Sequence, residues 1–368
     1  MLVTWLLAIL MTFTRAWSAA PHNDTSGFSS ACNTSASAVG LLSEHVKPFS
    51  PYEAFDKESK RELLVISANS GVMPLVLNLL KSIKSLDLEP GASDEGRQLR
   101  FLVVVFTEET LSLCDMLHIP CYHPRKAFQV LGLMHLGSNY AQYGSDNFKR
   151  ITLSLTHIIG WFLREGWTVF NTDVDIAWLR SPYKQPHSIL SYDNDIAIGG
   201  NNRPYFNKDS DINTGYYRVR PSEWSSIFFE KMFHECKESN VDDQDCMKKK
   251  LKAGGDRSMA HVTFLNSTDY PISACVWRKM KEEDKKQRAH LFHAACMNGM
   301  AEKLGFMNDN GMLLCPRLRK AWMDVERKIP YPSSEDGAKA LGTALEDMRA
   351  YMEETKTPKT LAGVLKIC

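Results

Sequence analysis

Four Asp-x-Asp triplets are the groups in this chain best suited by type and spacing to hold a cation: Asp173/Asp175, Asp193/Asp195, Asp209/Asp211 and Asp243/Asp245. In an extended segment residues i and i+2 project to one side, so both carboxylates of a triplet can face the same ion. Mg2+ and Mn2+ commonly take one or two protein carboxylates and fill their remaining positions with phosphate and water oxygens, so such a pair suits a metal–diphosphate site. Four copies make the bare triplet uninformative, and context must choose among them. Only Asp173/Asp175 follows directly on an apolar run, Trp-Thr-Val-Phe-Asn over 167–171, that reads as a buried strand. That pair is expected to face a ligand crevice; the plainer alternative is a solvated acidic turn. Asp209-Ser-Asp-Ile-Asn-Thr-Gly215 resembles the opening of an EF-hand loop, but its glycine is one position late and Arg220 stands where the closing glutamate belongs.

The elements around these residues alternate. Residues 63–67 (Leu-Leu-Val-Ile-Ser) read as a strand ending at Ala68-Asn69-Ser70-Gly71, and a helical period follows through Leu75, Leu79, Ile83 and Leu86. A strand over 101–106, a helix near 109–117 and a short strand near 128–131 come next. Ile151, Leu155, Ile158, Phe162 and Leu163 share one helical face from Asn147 onward, and Gly166 is placed to end that helix. Strand–helix alternation with apolar strands implies an α/β fold, a largely parallel sheet covered by helices on both faces. Ligands of such sheets bind beyond the carboxyl ends of the strands, where both Ser67–Gly71 and Asp173–Asp175 fall.

Among the 368 residues, 44 Lys+Arg balance 43 Asp+Glu, so no strong field gathers polyanions and a nucleic-acid partner is not expected. The one long apolar run lies at Met1–Phe13 and is followed by Ser18, Ala19 and Ala20. At about 13 residues it fits a signal-peptide core better than a full membrane span of roughly 20, although no basic segment precedes it. Residues 1–20 are therefore expected to be a signal peptide or signal anchor, 21–60 a flexible stem, 61–332 the folded domain and 333–368 a polar, partly helical tail. Sequons at Asn23, Asn33 and Asn266 agree with entry into the secretory pathway. Nine cysteines contain no Cys-x-x-Cys pair, which argues against structural zinc; Cys32 in the stem is the natural one to remain free or to bridge two chains. Cys236–Cys246 is the expected bridge, then Cys114–Cys121, with Cys275–Cys296 and Cys315–Cys368 as further pairings.

Asn171-Thr-Asp-Val-Asp-Ile-Ala-Trp-Leu-Arg-Ser-Pro182 resembles the Asp-x-Asp segment of the nucleotide-diphospho-sugar transferases, GT-A glycosyltransferases that include plant cell-wall xylosyl-, arabinosyl- and galactosyltransferases. Ala68-Asn69-Ser70-Gly71 with Asn78, the run Asn213-Thr-Gly-Tyr-Tyr-Arg-Val-Arg-Pro221, Asp243-Gln244-Asp245, and His293-Ala-Ala-Cys-Met-Asn-Gly299 with Lys303 match in order. The resemblance covers roughly residues 60 to 310. It implies a GT-A, Rossmann-like fold with a mixed, mostly parallel sheet. It also implies a nucleotide-sugar donor, UDP-linked, with Mn2+ or Mg2+ as cofactor, and transfer with retention to a hydroxyl of a glycan or glycoprotein. The compartment would be the Golgi lumen, with the membrane touched only through the N-terminal segment.

Residue by residue, the resemblance implies that Ala68, Asn69 and Gly71 hold uridine and ribose, where a turn at a strand end lets backbone come close to the nucleotide. Asp173, Asp175 and His293 would bind the metal, Gly299 would admit the phosphates, and Lys303 would set a point charge on them. Asp243 and Gln244, with Asn213, would serve the catalytic, donor-sugar side. The plainer alternatives are a buried structural histidine at His293, a solvated lysine at Lys303, and a helix cap with first-turn carboxylates at Asp243 and Gln244. Two departures stand out. Val105-Phe106-Thr107-Glu108 lacks an aspartate that the family often carries there, and Tyr216-Tyr217 replace phenylalanines and would bring hydroxyls near the acceptor. The alternating charges of Arg278–Arg288 read as a solvated helix. Two other classes stay open on sequence: a secreted, non-catalytic carbohydrate- or metal-binding protein on the same fold, and a luminal interaction protein using the tail and Cys32.

Overall fold

The computed structural model describes residues 62–87, 101–124, 141, 143–180, 189, 192–200, 212–297, 299–329, 331–355 and 360–368. The leader, the stem with Cys32, the sequons Asn23 and Asn33, the strand near 128–131 and the triplet Asp209/Asp211 lie outside the described residues.

Short β-branched and apolar runs form the centre. β1 (Glu62–Ala68) lies between two parallel neighbours, β2 (Phe101–Val105) and β4 (Thr168–Thr172), and β3 (Cys121–Tyr122) adds parallel to β2. β7 (Ile212–Val219) runs antiparallel to β4 and to β6 (Ile196–Gly200), and β8 (Val262–Leu265) pairs parallel with β6. The order β3-β2-β1-β4-β7-β6-β8 is thus the mixed, mostly parallel α/β sheet that the GT-A resemblance implies. A separate antiparallel pair joins β5 (Ile176–Trp178) to β9 (Leu291–His293).

Successive strand residues face opposite sides, and both sides are covered. Leu64, Ile66, Val103, Val105, Phe170 and Tyr216 enter one core with α1 (Met73–Asp87). Leu63, Val65, Val169 and Tyr217 are buried on the other side, where α3 (Asp146–Arg164) and α4 (Glu223–Cys236) pack; the Tyr217 and Phe229 rings lie 5.9 Å apart. Ser145 caps α3 by accepting from Phe148 N. Gly166, at φ +81°, ends it with Gly166 N donating to Leu163 O and Trp167 N to Phe162 O, the paired bonds of a Schellman stop. The turn delivers the chain directly into β4.

α2 (Glu108–Leu117) explains one departure: Thr107 accepts from Thr110 N as its N-cap, so that position is used for capping. Asn78 is a structural anchor, donating to Met312 O and accepting from Leu314 N and Cys315 N. The charged run forms two short helices, α6 (Ala274–Lys279) and α7 (Glu282–Gln287), because Met280 adopts extended backbone between them.

The segment after 333 packs as part of the main core. α8 (Met300–Asp309) and α9 (Pro316–Lys328) are followed by α10 (Ser334–Thr355) and α11 (Leu361–Ile367), and Ala340, Leu341, Ala344, Met348 and Val364 are fully or nearly fully buried in the core that holds β1. Small and apolar residues at helical spacing within a charged helix carry that packing, which its overall polarity conceals. Disulfides join Cys114–Cys121, Cys236–Cys246 and Cys315–Cys368. Cys275–Cys296 is corrected: both are free thiols, in side-chain hydrogen-bond contact with each other. Among the described residues no helix is long and apolar enough to cross a membrane.

Candidate active site

A cleft of about 440 Å³ opens beyond the carboxyl ends of β1 and β4. Asp173 directly follows β4, and its N–H donates to Gly215 O at 2.6 Å, tying the strand end to β7. Asp173-Val-Asp175 is a turn here, because the chain leaves the main sheet at Thr172 and enters the β5–β9 pair at Ile176. In that pair Ile176 lies opposite His293, which sets the imidazole beside Asp175. Trp178 N donates to Ser82 Oγ of α1 at 3.0 Å and fixes β5 to the main core.

The result is one compact donor group. Ligand atoms of Asp173, Asp175 and His293 all lie within 4.8 Å of one another. His293 Nε2 is 3.4 Å from Asp175 Oδ1 and 3.9 Å from Asp173 Oδ2. Lys303 in the first turn of α8 reaches Asp175 Oδ2 at 2.7 Å. Burial by itself would raise the Asp175 pKa, but the Lys303 and His293 charges and hydrogen bonds outweigh it and hold the carboxyl well below its usual range. Asp173 moves the other way: desolvation within the cleft and the Asp175 charge push its pKa up, although its side chain is half-exposed. Two carboxylates and one imidazole converging at this spacing are donors of the kind that Mn2+ or Mg2+ accepts. His293 Nδ1 and Asn171 Oδ1 are buried with no hydrogen-bond partner among the described residues, so the donor group sits in polar surroundings that are not fully satisfied.

Gly215 explains how the group can be so tight. A Cβ there would sit 2.8 Å from Asp173 Oδ2 and 2.7 Å from Asn213 Oδ1, and closer still to His293 Cε1. Sequence reasoning gave this glycine no role. Its signal was faint: a glycine inside an otherwise β-branched and aromatic strand marks a close approach.

Asp243 and Gln244 also line the cleft, at the start of α5 (Asp243–Met259). The cap is Asp242, which accepts from Asp245 N, so Asp243 is left to face the cleft. Desolvation first, then the Asp242 and Asp173 charges, raise Asp243 to about 7, against hydrogen bonds from Thr214 and Thr152. Gln244 Oε1 accepts from Thr214 N at 3.3 Å, and Asn213 Oδ1 accepts from Gly215 N at 2.8 Å, so both also brace β7. Ala68 and Asn69 line the cleft at the end of β1.

Several expected site residues lie elsewhere. Gly71 belongs to the 3-10 turn after β1 and is not in the cleft wall. Gly299 is also behind the wall: at φ +97° it caps α8, and a Cβ there would collide with Ser334 Oγ. Its freedom therefore serves the junction between α8 and α10, and it acts on the cleft through Lys303. Tyr216 turns away: it is buried and donates to Tyr270 O at 2.6 Å. Tyr217 is buried and does not line the cleft, but its phenol lies in the field of the cleft carboxylates Asp243 and Asp173, which with burial hold its pKa well above the ordinary value. Asp193 pairs with Arg220 and Asp195 with His261, far from the donor group in the fold's hydrogen-bond pattern. Asp245 is exposed on α5 and does not line the cleft.

An arabinosyltransferase of Arabidopsis thaliana (RRA2) is 24% identical over 52% of this chain and 44% of its own length. A beta-arabinofuranosyltransferase of the same plant (RAY1) is 23% identical over 55% of this chain and 40% of its own length. A UDP-galactose:fucoside alpha-3-galactosyltransferase of Dictyostelium discoideum is 22% identical over 53% of this chain and 32% of its own length. The chain thus matches less than half the length of these curated relatives. Among solved structures, galactosyltransferase LgtC with donor and acceptor sugar analogues aligns at TM-score 0.43 and 12% identity, covering 68% of this chain and 95% of that one. The family model for nucleotide-diphospho-sugar transferases matches residues 97–307, more than half of the chain. This chain belongs to the nucleotide-diphospho-sugar transferase family.

Proposed function

We propose that this chain is a metal-dependent glycosyltransferase that moves a sugar from a nucleoside-diphosphate donor to a hydroxyl of a glycan or glycoprotein, with retention. The observation that carries the proposal is the convergence of Asp173, Asp175 and His293 at the end of β4, with Lys303 on the same cleft. Mn2+ or Mg2+ held by those three residues would supply Lewis-acid stabilisation of the departing diphosphate. Lys303, beside Asp175 at the start of α8, adds a positive charge for phosphate oxygens. Ala68 and Asn69 at the end of β1 offer backbone and amide to the nucleoside, as strand ends of such sheets do. Asp243 and Gln244, in the cleft wall, would accept and donate hydrogen bonds to hydroxyls of the transferred sugar. Retention by a front-face route asks no second carboxylate to act as a base, because the leaving phosphate oxygen takes the acceptor proton.

The names of the relatives, two arabinosyltransferases and one UDP-galactose-dependent transferase, support trying a pentose donor first and UDP-galactose next. The setting would be the Golgi lumen, with residues 1–20 as a leader or anchor and Cys32 as a route to a dimer. A panel of UDP-sugars, scored with Mn2+ by UDP release without and with glycan acceptors, tests the proposal. Release of UDP from at least one donor supports it. Binding of a donor without any release, with every acceptor, would leave the non-catalytic binding protein as the better account.

A further inference from the structure

Tyr143 is an exposed large aromatic, with 66% of its surface open, and it borders the cleft. A tyrosine ring joins an apolar face to a polar tip, so it suits a place with one side packed and the other wet. The ring is braced from behind: Phe148, in the first turn of α3, lies 5.1 Å away at an interplanar angle of 58°. Gly144 follows at φ +77° and turns the chain into the Ser145 cap of α3. Asp243 N donates to Thr152 Oγ1 of α3 at 3.4 Å, so the start of α5 lies beside the helix that Tyr143 precedes, and the phenol feels the charges of Asp242, Asp245 and Asp243 with Lys303 opposing them. Burial and those aspartates raise its pKa, so the ring stays neutral at physiological pH and keeps a full π face.

An aromatic face beside carboxylates has the chemistry that recognises a sugar ring. The axial C–H groups of a pyranose or furanose carry partial positive charge and pack on the electron-rich face, while ring hydroxyls donate to neighbouring carboxylates. We propose that Tyr143 is the stacking platform of the acceptor sugar, with the Asp242 oxygen not used in capping as its hydroxyl acceptor. The proposal rests on the glycosyltransferase reading above. The base end of the donor would lie toward Ala68 and Asn69, and its sugar beside Gln244, so the open rim at Tyr143 is left to the acceptor.

The test uses the full chain with Mn2+ and UDP, and methyl β-D-xylopyranoside, methyl α-L-arabinofuranoside and methyl β-D-galactopyranoside as probes. Glycoside binding is read by saturation-transfer NMR and UDP binding by thermal shift. At least one glycoside should bind wild type. Tyr143→Ala should weaken it on the order of ten-fold, the loss of one stacked aromatic face. Tyr143→Phe and Tyr143→Trp should retain it, and UDP binding should be unchanged in all three. Equal glycoside binding by Tyr143→Ala, or none by a wild type that does bind UDP, overturns the proposal. So does a variant that loses UDP binding while its glycoside binding persists, since the ring would then serve the donor. A wild type that binds no UDP with Mn2+ instead removes the glycosyltransferase reading on which the proposal rests.

Discussion

Gly215→Ala is the sharpest perturbation of the donor group that leaves every candidate ligand in place. Gly215 lies inside β7 with ordinary strand backbone, so the constraint on it is one of space. A methyl group there would press on three groups at once. To regain contact of about 3.4 Å, Asp173 Oδ2 must retreat about 0.6 Å and Asn213 Oδ1 about 0.7 Å, with His293 Cε1 moving further still. His293 is 1% exposed and held in β9 opposite Ile176, so it has little room to yield. Overpacking of this kind costs about 1–3 kcal/mol, a fall of several degrees in Tm for a domain of this size. Binding should suffer more than stability, because ligand misplacement approaching an ångström typically costs ten- to hundredfold in metal affinity. Circular dichroism with a melting curve reports the fold, and Mn2+ titration in the presence of UDP reports the site. A folded Gly215→Ala protein that binds Mn2+ and UDP as wild type does would refute the geometric account of the donor group.

Asp243→Asn should stabilise the metal-free protein increasingly as pH rises from about 4 to 7 and level off above 8. The native carboxyl binds its proton up to about pH 7, whereas the unfolded one releases it near 3.8, so ionisation costs stability across that window; the ceiling is about 4 kcal/mol. Urea unfolding in EDTA at several pH values measures it, and a pH-independent difference would count against a raised Asp243. Lys303→Met leaves the buried Asp175 without its ammonium partner and should cost roughly 2–4 kcal/mol in EDTA, largely restored by Mn2+ as the cation takes over. Equal Mn2+ stabilisation of wild type and variant would contradict this. Non-reducing peptide maps should show Cys114–Cys121, Cys236–Cys246 and Cys315–Cys368 bridged and Cys275 and Cys296 alkylated. The chain-entropy model assigns roughly 3 kcal/mol to the Cys236–Cys246 loop and roughly 4 kcal/mol to the longer Cys315–Cys368 loop.

Local rules made the first half of the sheet readable. Apolar runs at 63–67, 101–106 and 167–171 and the glycine stop at Gly166 are signals carried within a few residues, and each element formed within a residue or two of its expected bounds. The antiparallel insertion of β7 between β4 and β6 was not legible, because a strand that crosses back leaves no local mark. The core role of α10 was hidden for a related reason: Ala340, Leu341 and Ala344 are a narrow apolar stripe in a charged helix, and only the surface opposite says that they are buried. Strand-end logic singled out Asp173 and Asp175, and only the family resemblance added His293 and Lys303 to them; the structure brings the four together. Gly215 and Tyr143 were not legible, since the first acts by what it lacks and the second by standing outside the core. Gly71 and Gly299 show the converse limit. A glycine at a turn announces backbone freedom, but whether a ligand or a neighbouring helix uses that freedom is decided in three dimensions.

The central claim is that Asp173, Asp175 and His293 bind a divalent cation together with a nucleoside diphosphate. Thermal shift of wild type and Asp175→Ala with UDP, each with Mn2+ and with EDTA, tests it most directly. Wild type should be stabilised by UDP with Mn2+ and little or not at all with EDTA, and the folded variant should show no shift in either. Stabilisation by UDP that ignores the metal, or that survives in Asp175→Ala, would contradict the account.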